Sequence, residues 1–205
     1  MAQGGGESKS WRAGCAEGQP ASPDVDEGGA ASMIQRMTRP RLLRRYRLVL
    51  CLFITGLVVS GLTAFPLLWE MRVLCEWLGG GAAPPPAGGE GLRHWVLTVR
   101  WGLEEMYATH PWIAYGTDWL AFAHLVLAVF FIGPLFDPVR NVWVLYAGLA
   151  SCVLILPLAL IAGPLRGIPF GWRLIDCSFG VLGAVPLLYC LRLTRKLSNL
   201  PDGRK

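Results

Sequence analysis

The sequence predicts an all-α polytopic membrane protein, with four transmembrane helices and an amphipathic helix in the long outer loop. Three observations carry that prediction. Apolar residues make up 53% of the 205-residue chain and charged residues only 16%, at a mean hydropathy of +0.43, against about 45–50% and about 25% in soluble domains. Four runs, at about 47–69, 116–136, 141–162 and 174–193, are long enough to cross a hydrocarbon core of about 30 Å, which takes roughly 20 helical residues. Basic residues gather beside those runs, six of them between Arg36 and Arg47 and five after residue 191. The net charge of +5 therefore marks membrane flanks rather than a nucleic-acid surface, and no nucleic-acid partner is expected. No water in the bilayer core satisfies backbone amides, so each run is expected to be a helix. The rival, a soluble protein with very apolar core helices, requires a polar face that these runs lack.

Taken in order, residues 1–36 read as a disordered cytoplasmic tail, because MAQGGGESKSWRAGCAEGQPASPDVDEGGAAS is too poor in large apolar groups to offset the entropy of ordering. The transmembrane domain occupies 37–197. Its first span has a second reading as a cleaved signal peptide, with a basic stretch, the run Leu48 to Ser60 and the small-residue Leu62-Thr63-Ala64. Apolar character continues through Phe65 and Leu67 to Trp69, longer than such a peptide needs. GGGAAPPPAGG at 79–89 is a flexible spacer with a stiff centre. In Gly91 to Met106, residues Leu92, Trp95, Val96, Val99, Leu103 and Met106 share one helical face, with Arg93, Arg100 and Glu104 away from it and the last two spaced to pair. This helix is too short and charged to span. It is read either as lying on the outer membrane surface or as a cap packed on the other helices.

Asp137-Pro138-Val139-Arg140 is short enough to force spans two and three into an antiparallel hairpin. The third span, Asn141 to Ala162, contains no charged side chain. GPLRGIPFGW at 163–172 carries glycines and prolines that forbid regular helix and reads as a surface loop or a shallow re-entrant one. Residues 198–205 form a short cytoplasmic tail. With the N-terminus inside, the inner side holds twelve basic residues, Arg36, Arg39, Arg41, Arg44, Arg45, Arg47, Arg140, Arg192, Arg195, Lys196, Arg204 and Lys205. The outer side holds five, Arg72, Arg93, Arg100, Arg166 and Arg173, so both termini are expected in the cytoplasm. Tryptophans lean the other way: Trp69, Trp77, Trp95, Trp101, Trp112, Trp119 and Trp172 fall at or beyond the outer interface, and Trp143 marks the inner one.

Ionisable groups inside a span are costly and default to functional hypotheses. Asp118 begins span two, His124 lies two turns deeper and Asp176 sits just inside span four, with Arg166 and Arg173 flanking the same outer level. One reading makes these five residues a ligand or ion pathway, with His124 titrating, Asp176 beside it and an Asp–Arg pair neutralising the mouth. The other makes Asp118 and Asp176 N-caps and His124 a structural hydrogen bond across helices. Small residues at Gly56 and Ser60, Gly148 and Cys152, and Gly180 and Gly183 offer surfaces for close helix packing. Of His94, His110 and His124 only the last lies in a span, so a bis-histidine haem inside the bundle is excluded; His124 with His110 or Met106 is the one haem pairing left, and no cofactor is expected. The six cysteines show no zinc or haem-attachment spacing and no metal site is expected. P-loop, GxSxG, HExxH and dinucleotide fingerprints are lacking.

At YGTDWLAFAH (115–124), GPLFDPVRN (133–141) and GPLRGIPFGWRLIDCSFG (163–180) the chain resembles a group of uncharacterised four-span bacterial membrane proteins. The resemblance covers roughly 45–193. It implies a bacterial cytoplasmic membrane and carries no activity with it. The leading expectation is a non-catalytic scaffold or accessory subunit acting through helix packing with a membrane-protein partner or as a homo-oligomer in the lipid bilayer. A small channel or transporter subunit using Asp118, His124 and Asp176 is the alternative. A third is an interfacial enzyme binding a lipid phosphate through Arg166 and Arg173.

Overall fold

Prolines and glycines set where most of the helices stop. The computed structural model describes residues 27–81 and 83–200, with side chains from residue 38 onward. Helix α1, Glu27–Ala64, ends at Phe65-Pro66, since a proline disfavours helical geometry in the residue before it and donates no amide of its own. The expected disordered tail is thereby shortened: residues 27–36 are helical, the good helix formers between Ala30 and Arg36 running on from the span. Residues 1–26, where the rest of that tail was expected, lie outside the described residues. The stretch of α1 apolar enough to cross a membrane is Thr38–Ala64. Leu67 to Trp69, expected to finish it, belong instead to α2, Leu67–Trp77.

Helix α3, Gly91–Thr109, follows, and a 3-10 turn at Pro111–Ala114 leads into α4, Tyr115–Phe130. The short α5, Ile132–Phe136, completes the second crossing, and α6, Val142–Pro157, begins the third. Directly after Pro157 the helix widens to a π turn over Leu158–Ala162, then closes through α7, Gly163–Leu165. Helix α8, Phe170–Ser198, is the fourth crossing. Four helical segments, Thr38–Ala64, Pro111–Phe136, Val142–Leu165 and Phe170–Ser198, are long and apolar enough to span a bilayer, and among the described residues there is no strand. The chain is an integral membrane protein on that ground.

The connection expected at 163–172 is only Arg166 to Pro169, which leaves no room for a re-entrant loop. Pro164 stands at the start of α7, where its missing amide costs nothing, Gly167 adopts φ +70°, and Pro169 leads straight into α8.

The spans pack in the order α4, α1, α8, α6: α1 lies against both α4 and α8, and α6 lies against α8. Lipid supplies no hydrophobic drive between helices, so their association depends on close steric fit. A Cβ added at Gly180 would fall 2.6 Å from the Cys152 carbonyl oxygen, and one at Gly183 would fall 3.0 Å from Cys152 Sγ, so α6 and α8 meet backbone to backbone. On the other side of α1, a Cβ at Gly61 would fall 2.9 Å from the Ala121 carbonyl oxygen of α4. The buried core lies toward the end where α1 begins and α8 ends, around Tyr46, Leu50, Phe131, Leu145, Leu187 and Cys190. There Phe53 meets Phe131 edge-on at 4.8 Å, a contact worth about 1 kcal/mol beyond area burial.

At the opposite end α2 and α3 form a hairpin over the bundle. Cys75, Val96 and Leu97 are its buried centre, with Leu74 and the Trp172 side chain of α8 against them. The amphipathic helix therefore has the packing of a cap, and its inward face is rotated from the expected stripe. Arg100, expected to point outward, is 4% exposed.

Candidate functional site

The sequence points first to Asp118, His124, Asp176, Arg166 and Arg173, which the fold places on α4, on α8 and in the turn before α8. Asp118 lies in the first turn of α4, where the helix dipole favours a carboxylate, but α4 starts at Tyr115, so Asp118 is past the cap position. Asp176 lies further still into α8, which starts at Phe170. Neither aspartate is an N-cap; the helices begin earlier than apolarity alone predicts because Trp112, Tyr115, Phe170 and Trp172 extend them into the interface.

His124 faces α1, with its Cβ 3.1 Å from where a Gly61 Cβ would stand. Its Nδ1–H donates to the Leu120 carbonyl oxygen at 2.8 Å, a bond to its own helix one turn back rather than to a neighbouring one. Arg166 is exposed in the tight turn. Arg173 lays its aliphatic stem on Gly163, where a Cβ would fall 2.5 Å from Arg173 Cδ, and its guanidinium carbon stands 5.2 Å from the Phe170 ring centroid. Among the described residues neither Asp118 nor Asp176 pairs with Arg166 or Arg173. Helices α4 and α8 each pack on α1, and among the described residues no hydrogen bond or ion pair joins Asp118, His124 and Asp176 to one another. No group of three or more His, Cys, Asp or Glu side chains converges among the described residues in a way that could hold a metal ion.

The small residues divide into two sets. Gly148, Cys152, Gly180 and Gly183 lie inside the monomer: a Cβ at Gly148 would fall 2.6 Å from Phe131 Cζ, and Gly180 and Gly183 press on Cys152. Gly56 has nothing within 4 Å of its Cβ position, and Ser60 is exposed. Close approach on α1 is made instead by Gly61, the neighbour of Ser60, which the sequence pattern does not single out.

The polar centre that the fold does build lies in the α2–α3 hairpin. Glu104 accepts from Arg72 Nε at 2.9 Å and from Arg100 Nη1 at 3.1 Å. Arg100 Nη2 donates to the carbonyl oxygens of Gly81 at 3.3 Å and Ala83 at 3.2 Å. Arg93 donates to the Leu78 carbonyl oxygen at 3.0 Å and to that of Gly79 at 2.9 Å. The start of the Gly- and Pro-rich segment, expected to be a flexible spacer, is thus clasped by two arginines one turn-pair apart on α3. Its carbonyls follow the C-terminus of α2, where cations are favoured. Arg93, Val96, Leu97, Arg100 and Glu104 also recur at helical spacing; the wholly apolar stripe beside them masks that mixed face. Beneath it Cys75 is buried, its Sγ 3.7 Å from the Val96 carbonyl oxygen.

Comparison of the chain with family models, curated proteins and solved structures finds no match.

Proposed function

We propose that this protein is a non-catalytic scaffold or accessory subunit of a bacterial cytoplasmic membrane. Its N-terminus and C-terminus lie in the cytoplasm, and it acts through the outward face of α1 at Gly56 and Ser60. The observation that carries this is the division of small residues. Those of α6 and α8 are used up within the monomer, whereas Gly56 meets open space on a helix that already packs on two others. In lipid, a small-residue surface is where a second helix gains most from close approach. Polar residues that do not converge support a packing role over conduction. The surplus of arginine at the end holding both termini supports the orientation.

Disulfide trapping in native membranes tests the reading. Ser60→Cys is expected to give a cross-linked species, either a dimer of this chain or a complex with a membrane partner, and Gly56→Ile is expected to abolish it while leaving the protein's thermal stability unchanged. Absence of any cross-linked species from Ser60→Cys under mild oxidation, with the cysteine shown to be reactive, would overturn it. Tags on the two ends, each protected in right-side-out vesicles, check the orientation separately.

A further inference from the structure

At the end of the bundle where α8 finishes, α1, the α5–α6 turn and the end of α8 enclose a cleft of about 760 Å³. Among the described residues its charged lining is Arg39, Arg47 and Arg140 against one carboxylate, Asp137. That carboxylate is already engaged, its Oδ1 accepting the Arg140 backbone N–H at 3.1 Å. Among the described residues the guanidinium groups of Arg47 and Arg140 have no carboxylate partner. The N-terminus of α6 follows Arg140 immediately and adds its partial positive charge. Among the described residues Arg47 and Arg140 therefore leave a surplus of positive charge in the cleft, with two planar donor forks that match the oxygens of a phosphate.

Its other walls are apolar. Phe136 is 75% exposed beside the arginines, and Trp143, 78% exposed on the next turn, sets this level at the membrane–water interface. A second groove of about 340 Å³ shares Leu43 and Arg47 with the first and continues along α1 past Leu48 to Cys51, toward the bilayer interior. A soluble anion has no use for an apolar groove running inward from its binding cleft. A phospholipid presents an anionic phosphate and an acyl chain in that order, and basic pockets between spans on the cytoplasmic side take such headgroups.

We infer that the cleft of Arg47 and Arg140, with the groove along α1, is a binding site for one anionic phospholipid, the phosphodiester lying between the two guanidinium groups and an acyl chain beside Leu48. The inference goes beyond the packing role and does not depend on it.

The test uses the full chain in nanodiscs of equal parts phosphatidylglycerol and phosphatidylcholine, released into native mass spectrometry. The wild-type protein is expected to retain phosphatidylglycerol in preference to phosphatidylcholine. The double variant Arg47→Gln/Arg140→Gln is expected to lose that preference by at least about tenfold, near what two surface arginines contribute. Arg192→Gln/Arg195→Gln, which removes the same charge from α8 outside the cleft, is expected to keep it. Equal retention of the two lipids by the wild type overturns the site without any variant. Equal loss in both double variants shows a diffuse charge effect and overturns it as well. Displacement of the lipid by millimolar inorganic phosphate assigns the cleft to a soluble anion and overturns the lipid.

Discussion

Two helix pairs in this molecule are held by opposite chemistry. The α2–α3 hairpin is joined by charge, with Glu104 between Arg72 and Arg100 and two arginines on the backbone carbonyls of 78–83. Helices α6 and α8 are joined by the absence of side chain, Gly180 on the Cys152 carbonyl and Gly148 against Leu187. The difference follows the solvent. Beyond the bilayer, a partly exposed ion pair is cheap to hydrate at its edges, and burying Val96 and Leu97 is itself favourable. Within lipid no such gain exists, and contact distance decides.

The comparison breaks most sharply at Gly180. Gly180→Leu would drive a branched side chain into backbone and is expected to cost about 3 kcal/mol, with loss of the monodisperse peak on heating in detergent. An unchanged melting temperature would mean that α6 and α8 do not depend on close approach. Next comes Glu104→Gln, which leaves Arg100 buried without a countercharge and is expected to loosen the hairpin by about 2 kcal/mol. That change belongs in faster amide exchange over α3, with exchange in α6 and α8 unaltered; a global change would show that hairpin and bundle unfold as one. The smallest effect is expected at His124→Leu, where one bond inside α4 worth about 1 kcal/mol is lost. Folding and assembly should persist, and reconstituted vesicles should show no loss of pH-dependent flux; such a loss would sink the packing role and reinstate conduction.

Much of the spanning architecture was legible because the bilayer demands length and apolarity, which Asn141 to Ala162 displays without a single charge. Ends were less legible. Pro66 cuts the first span short of Trp69, and the aromatics near Trp112 and Phe170 carry helices outward past where hydropathy falls. Which residues touch was largely hidden. Gly61 and Gly56 look alike in one dimension, and only the side of α1 that α4 occupies separates them. Charge by itself turns Arg100 away from the apolar stripe; a receptive run of carbonyls from the preceding segment reverses that default. Asp118 and Asp176 share a level in sequence counting, with His124 two turns deeper, yet level alone says nothing about which helices are neighbours.

The neighbour order also constrains how the molecule is made. Helix α1 is made before the other described spans and ends up flanked on both sides, while α6 packs mainly on α8, which is made after it. During translation α6 can therefore lean on the second crossing only near its short turn, through Gly148 against Phe131, and its longer face stays uncovered until the last span docks on it.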